Sequence, residues 1–183
     1  MAFPYKRILN PIDFDDNSLD AMDVAAEFAR QNDGIVFALH VVPMNQNPAG
    51  GPAYVELYHE QAERDRARLE ELVSRRFHGL KYQVDTDIGD PASIILKAER
   101  TLAADVVVMA THGRKGFSHL LLGSTVESVL RATACPVLVI RRNEPGRNLV
   151  GRWMACSPVV VAPEEELASV EKRCTREAST PCQ

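Results

Sequence analysis

Val106-Val107-Val108-Met109-Ala110-Thr111-His112-Gly113, then nine residues, then Gly123-Ser124-Thr125 is the stretch that decides the architecture. A short apolar run ends in a small residue, a glycine-bounded loop follows, and a serine opens a helical pattern. Strand, loop and helix start in that order gather unpaired backbone N–H groups at one point. The spacing reads as a phosphate cradle. Gly113, Gly116 and Gly123 let a ligand approach the backbone and permit positive φ. Ser124 and Thr125 add hydroxyl donors, and the helix dipole contributes roughly 0.3–1 kcal/mol. Ser124-x-x-Glu127 equally fits a capping box that works with no ligand, and both readings stand. The stretch is not a Walker A loop, which needs Lys-Ser/Thr after its glycine, and no Gly-x-Gly-x-x-Gly follows the first strand.

Outward from this stretch the chain alternates strands and helices. Lys6 to Ile12 reads as a first strand, followed by turn residues with Ser18 as N-cap. From Leu19 to about Gln31, Leu19, Met22, Ala25, Ala26 and Ala29 recur at helical spacing and are expected inside. Gly34 is placed at the left-handed position after that helix. Ile35 to Val42 is almost wholly apolar, as in a strand buried on both faces of a parallel sheet. A Pro/Gly/Asn loop over 43–52 leads to a long charged helix, about Ala53 to Phe77, with Leu57 and Leu69–Leu72 on its apolar period. Leu80 to Thr86 is a third strand. Asp90 as N-cap and Pro91 at the first helical position open a helix to about Ala103. Asp105 to Ala110 is the fourth strand, Ser124 to Ala132 the next helix, and Val137 to Arg141 a fifth strand in an edge position. The predicted fold is α/β: a doubly wound five-stranded parallel sheet with helices on both faces and right-handed crossovers. Ligands of such sheets sit at the carboxyl ends of the strands, where Asp13, Val41-Val42 and Met109–Gly113 all fall.

Composition narrows the class. The chain has 183 residues, 45% of them apolar, enough for a real core. A net charge of −4 and a pI near 5.7 argue against nucleic-acid binding, which needs a basic face. No apolar run approaches the roughly 20 residues of a membrane span, and the first residues carry no signal-peptide core, so a cytoplasmic location is expected. Cys135, Cys156, Cys174 and Cys182 form no Cys-x-x-Cys pair and read as free thiols. After about Asn143 the pattern changes. Residues 1–143 are read as one nucleotide-binding domain and 144–183 as a tail expected to be poorly ordered, in which Val159–Val161 offers an added edge strand.

Each candidate side chain has two readings. Asp13 suits a ribose hydroxyl or adenine amine, or a plain turn. His112 suits phosphate or a turn cap. Arg114 and Lys115 suit phosphate or solvent. His40 reads as a satisfied core histidine, while Met109 and Val41 read as core that could border an adenine ring. Cys135 reads as a small buried residue beside Pro136.

Ala110-Thr-His-Gly113, nine residues, Gly123-Ser124, then Cys135-Pro136-Val-Leu-Val-Ile-Arg141 resembles the universal stress protein family, as do Ile8-Leu-Asn-Pro-Ile-Asp13 and Ser18-Leu-Asp-Ala21. The resemblance covers about Tyr5 to Arg142. It implies a flavodoxin-like sheet of order 3-2-1-4-5, a cytoplasmic stress or signalling role, and a homodimer pairing through Val137–Ile140. One branch of the family binds ATP through Gly-x-x-Gly, nine residues, Gly-Ser/Thr. Here Gly113, Gly123 and Ser124 match, and Ala110 replaces the first glycine. By that resemblance the binding residues are Pro11, Ile12, Asp13, Val41, Met109, Ala110, His112, Gly113, Arg114, Gly116, Gly123, Ser124 and Thr125, with Mg²⁺ accompanying ATP through phosphates and water.

No catalytic constellation stands beside the cradle, so no dedicated reaction is assigned; slow ATP hydrolysis or self-phosphorylation at Ser124 follows from the resemblance alone. The downstream protein partner is unnamed by the sequence. Two alternatives stay open. One is a dimeric interaction module of the same fold that binds no nucleotide. The other is a phospho-acceptor receiver domain, invited by Asp13, Asp15, Asp85 and Asp87, although Arg141-Arg142 stands where a receiver needs lysine.

Overall fold

In the computed structural model, residues 5–44, 51–110, 123–140 and 159–161 are described. Ten elements follow in order: β1 (Arg7–Ile12), α1 (Asp16–Asn32), β2 (Ile35–Pro43), α2 (Pro52–Arg76), β3 (Lys81–Gly89), α3 (Pro91–Thr101), β4 (Val106–Ala110), α4 (Ser124–Ala132), β5 (Val137–Ile140) and β6 (Val159–Val161). They form one sheet of order β3-β2-β1-β4-β5-β6. The expected parallel order 3-2-1-4-5 is present, and β6 joins β5 antiparallel. Val159–Val161 is therefore the added edge strand, and β5 is not the edge.

Pleating sends neighbouring residues of a strand to opposite faces, and this chain uses both. Ile8, Val36, Ala38, Val106 and Val108 pack with Met22, Ala25 and Ala29 of α1 and Leu69 and Val73 of α2. Leu9, Phe37, Leu39, Val41, Val107, Met109, Val137 and Val139 pack on the other side with Ile95, Val126 and Val129. The unbroken runs Ile35–Val42 and Val106–Met109 are thus two interleaved apolar faces, as a sheet covered twice requires.

Local chemistry sets the boundaries. Asp15, not Ser18, caps α1: its carboxylate accepts from the Ser18 N–H at 2.7 Å, and the Ser18 hydroxyl donates back to the Asp15 carbonyl at 2.9 Å. Asp33, not Gly34, takes the left-handed position after α1, with φ 48°. Gly34 serves another need. A Cβ there would lie 2.8 Å from the Lys6 carbonyl oxygen, the acceptor of the Ile35 N–H that starts the β1–β2 ladder. Asp90 caps α3 as expected, accepting from the Ser93 N–H at 2.9 Å. Leu57 departs from its expected place; it is 60% exposed, and α2 buries its apolar face from Ala62 onward.

The centre of the sheet is tied at one end only. The Asp105 carboxylate accepts from the backbone N–H groups of Lys6 and Arg7, both at 2.8 Å. β1 pairs with β2 all the way to Ile12↔His40, but its pairing with β4 stops at Leu9↔Val107. Lys6 bonds toward β2 and Arg7 toward β4, so alternate residues from Arg7 face β4, and Pro11 is the next donor position on that side. Proline has no N–H. The Asn10 side chain, fully buried, donates its Nδ2 to the Val108 carbonyl at 2.8 Å instead.

Candidate functional site

The β1–β4 ladder ends at Leu9↔Val107, and Pro11–Ile12 and Met109–Ala110 extend past this last pair at the carboxyl ends of the two strands, with Asp13 next along the chain. Strand order changes direction here, which is where open α/β sheets bind ligands. Val41 and Met109 lie in the same buried layer as Val126 and Val129 of α4. The Ile12 side chain lies in the opposite layer with α1, so Ile12 offers this crevice only its main chain. Asp13 is exposed and Ala110 half-buried.

α4 opens at Ser124 with Gly123 as its extended N-cap, and no side chain caps it. The capping box expected of Ser124 and Glu127 is not formed. Ser124 sits in the first turn, exposed, and Thr125 beside it is half-buried. The first N–H groups of a helix have no intrahelical acceptor, and among the described residues no side-chain oxygen caps them. His112, Gly113, Arg114, Lys115 and Gly116 lie outside the described residues.

Sequence reasoning missed what aims Asp13. Phe14, next along, has φ 61°, a left-handed value that costs a bulky residue on the order of 1–3 kcal/mol and persists only where neighbours enforce it. They are identifiable. The Phe14 ring lies 4.5 Å from the His40 ring, and the Arg68 guanidinium stands 4.2 Å over it. His40 is buried and has its Nδ1 2.7 Å from the Ile12 carbonyl oxygen; a carbonyl can only accept, so Nδ1 carries the proton. Its Nε2 faces Asp65 Oδ2 at 3.5 Å, and the Gln61 amide donates to the same oxygen at 2.8 Å. Asp13 itself accepts from the Asp15 N–H at 3.3 Å. His40 is thus the satisfied core histidine expected of it, and it also pins the end of β1 to α2. A polar residue inside the run Ile35–Val42 was the available signal.

Other acidic residues are not part of this arrangement. Asp85 and Asp87 belong to β3, and β2 lies between β3 and β1. The sheet order therefore separates them from Asp13 by a whole strand, which removes the grouping a receiver domain needs. Cys135 is buried at the mouth of β5, away from the crevice. Burial first, then the Glu99 carboxylate, pushes its thiol up to about 12.

Residues 4–141 match the family model for the universal stress protein family. The chain belongs to the universal stress protein family. A universal stress protein of Methanocaldococcus jannaschii is 33% identical over 143 residues, covering 75% of this chain and 83% of that one. The solved structure of a second universal stress protein from that organism has a TM-score of 0.70 at 26% identity, over 78% of this chain and 100% of that chain. A universal stress protein solved in complex with cAMP shares the fold, with a TM-score of 0.57 at 16% identity, over 75% of this chain and 97% of that one. No helix among the described residues of this family member is long and apolar enough to cross a membrane.

Proposed function

We propose that this universal stress protein binds an adenine nucleotide, ATP with Mg²⁺ foremost, between the carboxyl ends of β1 and β4, and acts in cytoplasmic stress response or signalling as a homodimer paired through Val137–Ile140. The observation that carries the reading is the β1–β4 ladder ending at Leu9↔Val107 beside an α4 N-terminus that no side chain among the described residues caps. Asp13 receives the nucleoside by its carboxylate and Val41 by its backbone. Pro11, Ile12, Met109 and Ala110 border the ring and sugar. His112, Gly113, Arg114, Gly116, Gly123, Ser124 and Thr125 surround the phosphates. The relative solved with cAMP supports an adenine nucleotide as a ligand this fold accepts. Mg²⁺ would be held mainly by phosphate oxygens and water.

The purified protein is acid-extracted and the extract assayed for adenine nucleotides, and nucleotide-free protein is titrated with ATP by calorimetry. Binding is expected, weakened about tenfold by Asp13→Ala, the loss of one hydrogen bond to a charged group. An empty extract together with no heat at millimolar ATP overturns the proposal. That outcome favours a dimeric interaction module without nucleotide, the reading Ala110 supports by placing a methyl where the ATP-binding pattern has glycine.

A further inference from the structure

The family match ends at residue 141, and the curated relative covers 75% of this chain. The one element described beyond that limit is β6, and it lies on the outer side of β5 with the register Val137↔Val161, Leu138↔Val160 and Val139↔Val159. We propose that β6 is a built-in cap that holds the β5 edge closed to a second copy of this chain. The proposal rests on the reading that β5 is the homodimer strand, and adds how that pairing is controlled.

Three observations support it. The first is direction. Edge strands related by a two-fold axis can pair only antiparallel, and β6 runs antiparallel to β5. It therefore uses the row of N–H and C=O groups that a second copy's β5 would use. The second is sequence. Val159-Val160-Val161 has the unbroken apolar character of Val137-Leu138-Val139-Ile140, so the tail carries a short imitation of the strand it displaces. The third is the pair of prolines that bracket it, Pro158 and Pro163. Proline donates no hydrogen bond, so a strand between two prolines cannot lengthen and makes a poor template for further addition. β6 thus covers one sticky edge without offering another.

The competition is decided by tethering. A strand joined covalently through residues 141–158 meets its site at an effective concentration on the order of millimolar, well above that of a free second copy at micromolar protein. Three paired residues suffice against a four-residue rival on those terms. Any event that withdraws the tail, by proteolysis or by a partner binding it, then converts a closed monomer into a pairing-competent one.

Three proteins are compared by sedimentation over a wide concentration range: the full chain, a chain ending at Asn143, and the full chain carrying Val161→Pro. That substitution deletes the N–H that the Val137↔Val161 pair directs at β5, since Pro136 and Leu138 turn their polar groups to β4 and Val137 and Val139 turn theirs to β6. The full chain is expected to dimerise only at concentrations well above those at which both altered proteins pair, whose dimer dissociation constants are tightened at least about tenfold. If all three dimerise equally, the pairing stands and the cap is wrong. If none associates at any concentration, both the cap and the dimer reading fail, and the calorimetric test of nucleotide binding is untouched. A full-length dimer that Val161→Pro dissolves also overturns the cap, because β6 would then be joining copies rather than separating them. Val161→Pro keeps the whole chain, so the comparison holds even where the truncated protein fails to fold.

Discussion

Asn10 gives the sharpest test of how the sheet's centre is built. It is fully buried, and its Nδ2 supplies the Val108 carbonyl with the hydrogen bond that Pro11 cannot. Asn10→Ala removes that donor and leaves a buried carbonyl alone, a loss of about 1–3 kcal/mol. The lower half of that range is expected, because Asn10 Oδ1 has no partner among the described residues and its removal is a relief. Asn10→Asp keeps the shape and replaces the donor by an acid. Protonated, the introduced carboxyl can donate to Val108; ionised, it is a buried charge against a carbonyl oxygen. Its pKa in the folded protein therefore rises, by about three units or more for a fully buried group. The unfolded chain gives up that proton above about pH 3.9, while the folded protein keeps it. Stability of Asn10→Asp should then fall by about 1.4 kcal/mol per pH unit between the two values, reaching a loss near 4 kcal/mol at neutral pH. Urea denaturation of both variants across the mildly acidic to neutral range measures this, with Asn10→Ala as the pH-insensitive reference. A difference between the two that does not grow with pH refutes the donor role, as does an Asn10→Ala protein within about 0.5 kcal/mol of the parent.

Gly34→Ala drives a Cβ to 2.8 Å from the Lys6 carbonyl oxygen, and backbone cannot step aside cheaply. A loss of about 1–3 kcal/mol in chemical denaturation is expected, the usual cost of overpacking. Asp90→Ala removes the α3 cap and should cost about 1 kcal/mol at neutral pH. The Ser93 side-chain and backbone hydrogen bonds hold the Asp90 carboxyl below its ordinary value. The cap's ionic share is thus present above the usual carboxylate range and lost as pH falls through the folded value, so the gap between the two proteins should narrow in acid. The Cys135 thiol, pushed up to about 12 by burial and Glu99, should resist iodoacetamide in the folded protein at neutral pH and react once urea unfolds it. Peptide mapping separates Cys135 from Cys156, Cys174 and Cys182, and rapid alkylation of Cys135 itself in the native protein would contradict its buried placement.

Much of the fold was readable because its signals are local. Ser124–Ala132 and the Asp90-Pro91 start follow from caps and periodicity, and the continuous runs at Ile35 and Val106 announce a sheet covered on both sides. What escaped depends on neighbours far along the chain. Asp33 and Gly34 are both able to end α1, and only the approach of Lys6 decides which must be glycine. Asp15 and Ser18 both suit a cap, and the turn after Asp13 chooses Asp15. Leu57 fits the period of α2 but lies beyond the reach of the sheet face that buries Leu69 and Val73. The cluster of His40, Phe14 and Arg68 joins β1, β2 and α2, which no window of sequence brings together. At the candidate site, Asp13, Val41 and Met109 were legible as strand ends; the early stop of the β1–β4 ladder was not, since it follows from Pro11 meeting a strand almost a hundred residues later.

That separation matters while the chain is being made. β1 and β2 are joined across 28 residues, but Asn10 waits for Val108 across 98. During translation β1 therefore stands with one flank satisfied and the other bare, a condition in which nascent chains stick to one another. Pro11 removes a donor from the bare flank and Asn10 turns a side-chain amide into its substitute, so the flank is a poor match for a stray strand and a good one for β4. The proline that parts the two strands in the finished protein also guards the unfinished one on the ribosome.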